Sequence, residues 1–235
     1  MAYKMLHSGE QAPLFRRRQE GQMPVTVVTF SVQQGSDGHR VAQLVGQKLG
    51  FPYYDNEIVS EAASIAGVSP DTVAAAERWP TFIERMLERL AMTTVVSEGV
   101  MPAPPSTSPS TMMMTSSDYR AIVEQVITNL ADRGSCVIVG HAGQAVLQNT
   151  PAVFKVLVTG SLDRRAQRIA QEQGLSEKDA AASVKNSDHQ RVDFFKHIYN
   201  IDWLDSSHYD MTLNTDDIDV ETAVSMVMTG IESTA

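Results

Sequence analysis

The chain has 235 residues, of which 43% are hydrophobic, and its formal net charge at pH 7 is -9. This length and composition suffice for one large domain with a buried core. The acidic balance argues against a general nucleic-acid-binding protein, which normally presents a basic surface. No apolar run approaches the roughly 20 residues that cross a bilayer, and no signal peptide follows the N-terminus. We therefore expect a cytoplasmic protein with no membrane or nucleic-acid partner.

The first ordered elements predict a phosphate-binding loop. Residues 1–24 lack hydrophobic periodicity and predict a flexible tail. Residues 25–32 form an almost unbroken β-branched and apolar run, which predicts a central parallel strand covered on both faces. A glycine-bearing loop at 33–40, an amphipathic helix ending at Gly50 and a short strand ending at Asp55 follow. In such a layout the backbone N–H groups of the loop and of the first helical turn converge on one point and favour an anion there.

The loop departs from the usual phosphate-binding sequence, which ends in Gly-Lys-Ser/Thr. Aligned on the helix, Gly38 occupies the lysine position and Arg40 the hydroxyl position. Asp37 would repel a phosphate and is expected to face solvent. An ordinary glycine-rich turn is the alternative interpretation. The candidate phosphate-binding residues of this loop are Gly35, Ser36, Gly38, His39 and Arg40.

Residues 56–118 predict a helical insertion. Helices are predicted between 57 and 94, and an uncharged segment rich in Pro, Ser, Thr and Met at 97–117 is predicted to be disordered, since it cannot bury enough apolar surface to order itself. A helix with apolar residues spaced over 119–130 follows and leads to a strand at 135–139.

The strand at 135–139 ends beside a candidate site residue. Its single cysteine, Cys136, is predicted to pack as a small apolar residue, because reactive cysteines lie in exposed, electropositive places. His141 follows the strand directly, and Asp55 follows the earlier one. Open α/β sheets bind ligands at the carboxyl ends of their strands, so both residues are candidates to contact a substrate. For His141, a structural hydrogen-bond donor is the alternative.

The C-terminal half completes an α/β pattern. Ser176 is predicted to cap a helix whose first turn is acidic. Strands that alternate with helices predict one α/β domain with a parallel sheet over residues 25–235. The remaining predicted elements are a strand at 152–158, helices at 162–173 and 176–198, a strand at 209–213 and a closing helix at 220–231.

The two helices after residue 162 carry many basic residues. Exposed basic helices are usually solvated faces, but in phosphoryl-transfer enzymes a helical hairpin bearing arginines closes over the transferring group. No metal site is predicted, because His189 and His197 are eight residues apart and have no cysteine partner. The candidate catalytic residues are Arg191, the foremost, with Arg165, Arg168 and Lys196.

Three segments together resemble one known family over about residues 25–231: GSDGHRVAQLVGQKLGFPYYDNEIV, GSCVIVGHAGQAVL and the block from LDRRAQRIAQ to YDMTLNT. They resemble the cytidylate kinase-like family, a branch of the P-loop nucleoside monophosphate kinases. The resemblance implies a five-stranded parallel sheet flanked by helices, a monophosphate-binding region at 56–118 and a lid at about 162–200. It also implies transfer of the γ-phosphoryl group of ATP to a nucleoside monophosphate such as CMP, with Mg²⁺ arriving with the nucleotide.

The resemblance places Asp55 and His141 on the monophosphate side, and the four basic candidates on the lid. The family commonly reads GSGGR in the loop and Gly-Arg after the strand, where this chain reads GSDGH and Gly140-His141. Histidines thus occupy two positions expected to carry permanent charge, and imidazole does not reproduce the bidentate fork of arginine. Two alternatives follow: a non-catalytic nucleotide-binding sensor or interaction domain, and a kinase of another small metabolite. Nucleotides are the only partners implied.

Overall fold

The computed structural model describes residues 25–67, 69–71, 73–74 and 116–234. The predicted tail at 1–24 and the predicted helices and disorder between 75 and 115 lie outside the described residues. The helix after the insertion begins at Ser116, so the last two residues of the segment predicted to be disordered, 116 and 117, are helical. Asp118 places an acid in the first turn of this helix. Such an acid is favourable near the positive end of the helix dipole.

The described residues form five strands and seven α-helices. The strands are β1 Val27–Val32, β2 Tyr53–Tyr54, β3 Cys136–Val139, β4 Val153–Thr159 and β5 Met211–Asn214. The helices are α1 Gly38–Leu49, α2 Asn56–Ala66, α3 Ser116–Arg133, α4 Gly143–Val146, α5 Leu162–Gln173, α6 Glu177–Ile198 and α7 Val220–Thr234, with a 3₁₀ turn at Ser206–His208. None of the described helices combines the length and apolarity needed to cross a membrane.

The five strands form one parallel sheet in the order β2-β3-β1-β4-β5. All six residues of β1 are buried, as its apolar run predicts for a central strand. The predicted α/β fold with a five-stranded parallel sheet flanked by helices is therefore confirmed. Because all strands run the same way, the loops that follow them meet at one edge of the sheet.

Two apolar cores cover the two faces of the sheet, because successive side chains of a strand point to opposite faces. Cys136 and Ile138 of β3 pack in the core that includes α2, α3 and α6. Val137 and Val139 pack in the core that includes α1 and α7. Burial raises the pKa of the Cys136 thiol to about 11, so this buried cysteine is an inert packing residue, as predicted.

The ends of the helices follow local rules of the sequence. Ser176 Oγ accepts a hydrogen bond from the backbone N–H of Asp179 at 3.1 Å, which confirms the predicted N-cap of α6. Ser161 caps α5 in the same way. These caps fix the starts of α5 and α6, the two helices that carry the basic candidate residues.

Candidate functional site

Two cavities open at the carboxyl edge of the sheet. The loop cavity, of about 390 Å³, lies between the loop after β1 and the helices α5 and α6. The Asp55 cavity, of about 260 Å³, lies between the ends of β2 and β3 and α6. Four residues line both cavities: Val32, His39, Ser187 and Arg191. The two cavities are therefore neighbouring compartments with a shared wall.

The glycines of the loop are required by space. Gly35 has a φ of +78°, and a Cβ there would lie 2.5 Å from the carbonyl oxygen of Arg165. A Cβ at Gly38 would lie 2.5 Å from Val32 Cγ1, against the sheet. A side chain at position 38 would therefore point into the core, which corrects the alignment of Gly38 with the lysine. His39, half exposed, is the first residue of α1 whose side chain faces the cavities.

Two other loop side chains are held by the protein. The Ser36 hydroxyl is fully buried and donates to the carbonyl of Val158 at 3.3 Å, so it braces the loop against β4. Asp37 has a φ of 58°, and its Oδ2 lies 3.1 Å from Nε of Arg168. The expectation that Asp37 faces solvent is wrong, because α5 passes close enough to the loop for this ion pair.

The predicted arginines of α5 are occupied by internal contacts. Arg165 is 3% exposed and makes two hydrogen bonds, of 3.0 and 2.7 Å, to the carboxylate of Asp188 on α6. Arg168 donates to the carbonyl of Gly35 and to the hydroxyl and carbonyl of Thr215, in addition to its pair with Asp37. Arg165 therefore joins α5 to the loop and to α6, and Arg168 joins α5 to the loop and to the end of β5.

Arg191 is placed differently from the other basic candidates. It lines both cavities, and its guanidinium carbon lies 5.4 Å from the centroid of the Trp203 ring. Arg40 lines only the loop cavity, with a side chain that is 67% exposed and 4.0 Å from Glu221. Lys196 is exposed on α6 and belongs to the lining of neither cavity.

Asp55 forms a polar cluster with two histidines. Its Oδ2 accepts a hydrogen bond from the Tyr53 hydroxyl at 3.3 Å and lies 3.3 Å from His39 Nδ1. Its Oδ1 lies 3.7 Å from Nε2 of the buried His141. Burial alone would raise the pKa of the Asp55 carboxyl, but the hydrogen bonds and charges of His141 and His39 outweigh it and hold that pKa well below its usual value. Burial and then the charge of Asp55 raise the pKa of Tyr53.

The turn that carries His141 is strained. Gly140, His141 and Ala142 have φ values of 74°, 51° and 59°, so two consecutive residues with side chains adopt the left-handed region. Each such residue costs about 1–3 kcal/mol and persists where the surroundings impose it. Here the turn brings the His141 ring against Asp55.

Sequence reasoning missed two residues that connect the loop to α6. Gln33 accepts from the Gly160 backbone N–H at 3.3 Å and donates to Asp188 at 3.4 Å. Gln34 donates to the Ser183 hydroxyl at 3.3 Å. Two adjacent glutamines directly after a buried strand were the available signal. No three His, Cys, Asp or Glu side chains in the described part of the chain are grouped to hold a metal ion.

The arrangement agrees with comparisons to known proteins. A profile described as "Cytidylate kinase-like family" matches residues 27–217. None of the curated proteins compared with the chain matches it. Among solved structures, an uncharacterized protein from Eubacterium ventriosum is 20% identical with a TM-score of 0.62, and the match covers 88% of this chain and 99% of that one.

Two further solved structures are kinases at lower similarity. A gluconokinase from Sinorhizobium meliloti is 14% identical with a TM-score of 0.48, covering 90% of this chain and 94% of that one. A shikimate kinase from Bacteroides thetaiotaomicron is 13% identical with a TM-score of 0.45, covering 88% and 98%. The family profile spans most of the chain and its matched region contains the whole sheet. The chain therefore belongs to the cytidylate kinase-like family.

Proposed function

We propose that the protein transfers the γ-phosphoryl group of ATP, bound in the loop cavity, to a small acceptor bound in the Asp55 cavity. The observation that carries this proposal is the position of Arg191 in the wall of both cavities. Arg191 is the only arginine among the four described residues that line both cavities, so its charge lies where a group would pass from one compartment to the other. In such transfers catalysis consists mainly of positioning and of stabilising charge on the transferring group.

We propose that backbone N–H groups of the loop, rather than a lysine side chain, bind the phosphates of the donor nucleotide. Gly35 and Gly38 allow the chain to turn closely, and the N-terminal end of α1 points its N–H groups at the loop cavity. His39 and Arg40 line this cavity. Mg²⁺ that arrives with ATP supplies further neutralisation of the phosphates and keeps several waters. Ser36 is not a candidate ligand for that ion, because its hydroxyl is turned to Val158.

The bond changes in this reaction are simple. An oxygen of the acceptor forms a bond to the γ-phosphorus, the bond from that phosphorus to the β,γ-bridging oxygen breaks, and ADP leaves. Arg191 is proposed to hydrogen-bond the oxygens of the γ-phosphoryl group as their charge shifts. Arg165 and Arg168 are proposed to fix the loop against α5 and α6, since their N–H groups already have protein partners.

The acceptor suggested by family membership is a nucleoside monophosphate such as CMP. The second candidate is a kinase of another small metabolite with a hydroxyl acceptor, and it is favoured by the cluster around Asp55. That carboxylate stays ionised at neutral pH and accepts hydrogen bonds only. It suits a neutral hydroxyl, which would donate a hydrogen bond to Asp55 and pass its proton to that carboxylate as the bond to phosphorus forms, better than it suits a phosphate dianion.

The test is phosphoryl transfer from Mg·ATP to a panel of ribonucleoside and deoxyribonucleoside monophosphates and of neutral polyols. Product formation is followed by ³¹P NMR and by coupled release of ADP. We expect Arg191→Ala to lower kcat by well over tenfold, as loss of a charge-stabilising arginine does elsewhere. Lys178→Ala, which removes an exposed cation from the same helix, is the matched control and should keep wild-type turnover. Wild-type turnover in Arg191→Ala would refute the role of Arg191.

A third hypothesis, a non-catalytic nucleotide sensor, rests on the histidines at positions 39 and 141 and on the missing lysine. It predicts that Mg·ATP binds while no acceptor of the panel is phosphorylated. Calorimetric titration with Mg·ATP, run on the same folded protein as the transfer assay, separates this outcome from a kinase whose acceptor is a metabolite.

A further inference from the structure

The arginines near the cavities differ in how their N–H groups are used. Arg165 commits N–H groups to the carboxylate of Asp188 and to the carbonyls of Gly160 and Gln34. Arg168 commits its N–H groups to Asp37, Gly35 and Thr215. Donors that are already satisfied by protein oxygens add little to the recognition of a phosphate.

Arg191 is held instead by an aromatic ring. Its guanidinium carbon lies 5.4 Å from the centroid of the Trp203 ring. Across residues 25–67, 69–71, 73–74 and 116–234, no carboxylate lies within ion-pair distance of it. A cation over an aromatic face is attracted by the ring quadrupole, and this contact needs no N–H group as a donor. The charge and the planar fork of Arg191 therefore stay available to an incoming phosphoryl group.

Trp203 is itself fixed on more than one side. Its side chain is 0% exposed, and its ring stacks on Phe195 with 5.8 Å between centroids and 10° between planes. Its carbonyl oxygen accepts a hydrogen bond of 2.6 Å from the Tyr209 hydroxyl. Phe195 lies one helical turn after Arg191 on α6. The residue that stacks on the indole ring and the residue that bears the guanidinium therefore belong to the same helix.

We infer that Trp203 is a positioning residue, which holds the guanidinium of Arg191 at the junction of the two cavities without consuming its hydrogen bonds. This inference rests on the proposed function, because it assigns the purpose of the contact to phosphoryl transfer. A pre-placed arginine spends no reorganisation energy at the moment of reaction. Loss of the ring lowers turnover, whereas the binding of ATP, which also uses the loop backbone, changes little.

The first experiment compares kcat and KM for Trp203→Leu, Trp203→Phe and Arg191→Ala. We expect Trp203→Leu to lower kcat about tenfold, a ratio within the range of a desolvated cation–π contact, with KM for ATP within about threefold. Trp203→Phe, which keeps an aromatic face, should recover part of the loss. In the Arg191→Ala background, Trp203→Leu should have no further effect on kcat, because the two residues act as one unit.

The matched control is Phe154→Leu. Phe154 is a buried aromatic residue, 3% exposed, in the core on the other face of the sheet. Its replacement destabilises the protein without touching α6, so kcat measured below the unfolding transition should equal that of the wild type. Equal losses of kcat in Trp203→Leu and Phe154→Leu, or independent effects of Trp203→Leu and Arg191→Ala, would overturn the inference.

A binding readout separates failure of this inference from failure of the proposed function. The chain has two tryptophans, so in Trp79→Phe all indole emission comes from Trp203. We expect Mg·ATP to change this emission, and expect Arg191→Ala in the same background to abolish the change. That result supports the contact even if no acceptor is phosphorylated. Indole emission that does not change when Mg·ATP is added, together with wild-type kcat in Trp203→Leu, would contradict the positioning role of Trp203.

Discussion

The chemistry of the site depends on which partner each individual charged residue finds. All three candidate arginines, Arg165, Arg168 and Arg191, come from the two consecutive helices after β4, and all three lie near the carboxyl edge of the sheet. Two of them meet acceptors of the protein, whereas Arg191 meets the face of Trp203. Its role in the proposed reaction therefore depends on geometry as well as on charge.

Replacing Arg191 by lysine tests that dependence on geometry. Lysine keeps the positive charge but lacks the planar fork and stacks poorly on an aromatic ring. We expect Arg191→Lys to have a kcat about tenfold below that of the wild type and above that of Arg191→Ala, as measured in the transfer assay. A lysine variant with full activity would show that a point charge suffices.

Asp55 gives a prediction for acid unfolding. Its pKa in the folded protein lies below the usual value of 3.8, so the ionised carboxylate contributes stability that is fully present above about pH 4 and is lost as the pH falls below it. The free energy of unfolding of Asp55→Asn, measured with urea, should therefore be lower than that of the wild type at pH 5, and this gap should be clearly smaller at pH 2. A difference that is the same at both pH values would contradict this account.

At the scale of elements, the loop and the two helices after β4 are tied by a buried ion pair. Arg165 is 3% exposed, and Asp188 supplies its counter-charge from α6. Asp188→Ala leaves a buried charge without its carboxylate, and we expect a loss of about 3 kcal/mol in the free energy of unfolding. Asp193→Ala is the control, because the carboxylate of Asp193 pairs with the exposed His189. Similar losses in the two variants would show that the pair contributes little.

The contact between the loop and α5 yields a prediction on nucleotide affinity. Asp37 places a carboxylate at the loop cavity in a left-handed conformation that suits glycine. Asp37→Gly removes this negative charge and releases Nε of Arg168, so we expect Kd for Mg·ATP to fall about fivefold by calorimetry, close to 1 kcal/mol. Asp163→Asn, at an exposed acid of α5, should leave Kd unchanged. Weaker binding in Asp37→Gly would mean that its pair with Arg168 shapes the cavity.

At the scale of the whole molecule, the sheet followed from local patterns of the sequence. The apolar runs predicted β1, β3 and β4, and Ser176 predicted the start of α6, because these signals act within a few residues. That Asp55 and His141 lie at one edge with the loop follows from the parallel direction of the strands. The partners of Asp37, Arg165 and Arg191 could not be predicted in this way.

Those partners are set by contacts between distant parts of the chain. Asp37 meets a residue on α5, more than a hundred positions away, and Arg165 donates to the carbonyl of Gln34 across a separation of 131 residues. Sequence periodicity shows which residues share a face of one helix. It carries no information on which face of another element lies opposite. Only the fold therefore shows that Arg165 and Arg168 bind acceptors of the protein while Arg191 lies over a ring and lines the cavities.

The wall shared by the two cavities also bears on thermodynamic linkage between ligands. Because Trp203 already holds the guanidinium of Arg191 in this wall, a donor nucleotide in the loop cavity brings its γ-phosphoryl group to a fixed point. An acceptor in the Asp55 cavity then gains a contact that the free protein does not offer, and each ligand must raise the affinity for the other by the same factor. Because one guanidinium lies between the two compartments, the free protein is already arranged so that donor and acceptor bind synergistically. Measured with a non-hydrolysable ATP analogue, this synergy should disappear in Arg191→Ala while binding to each separate cavity persists.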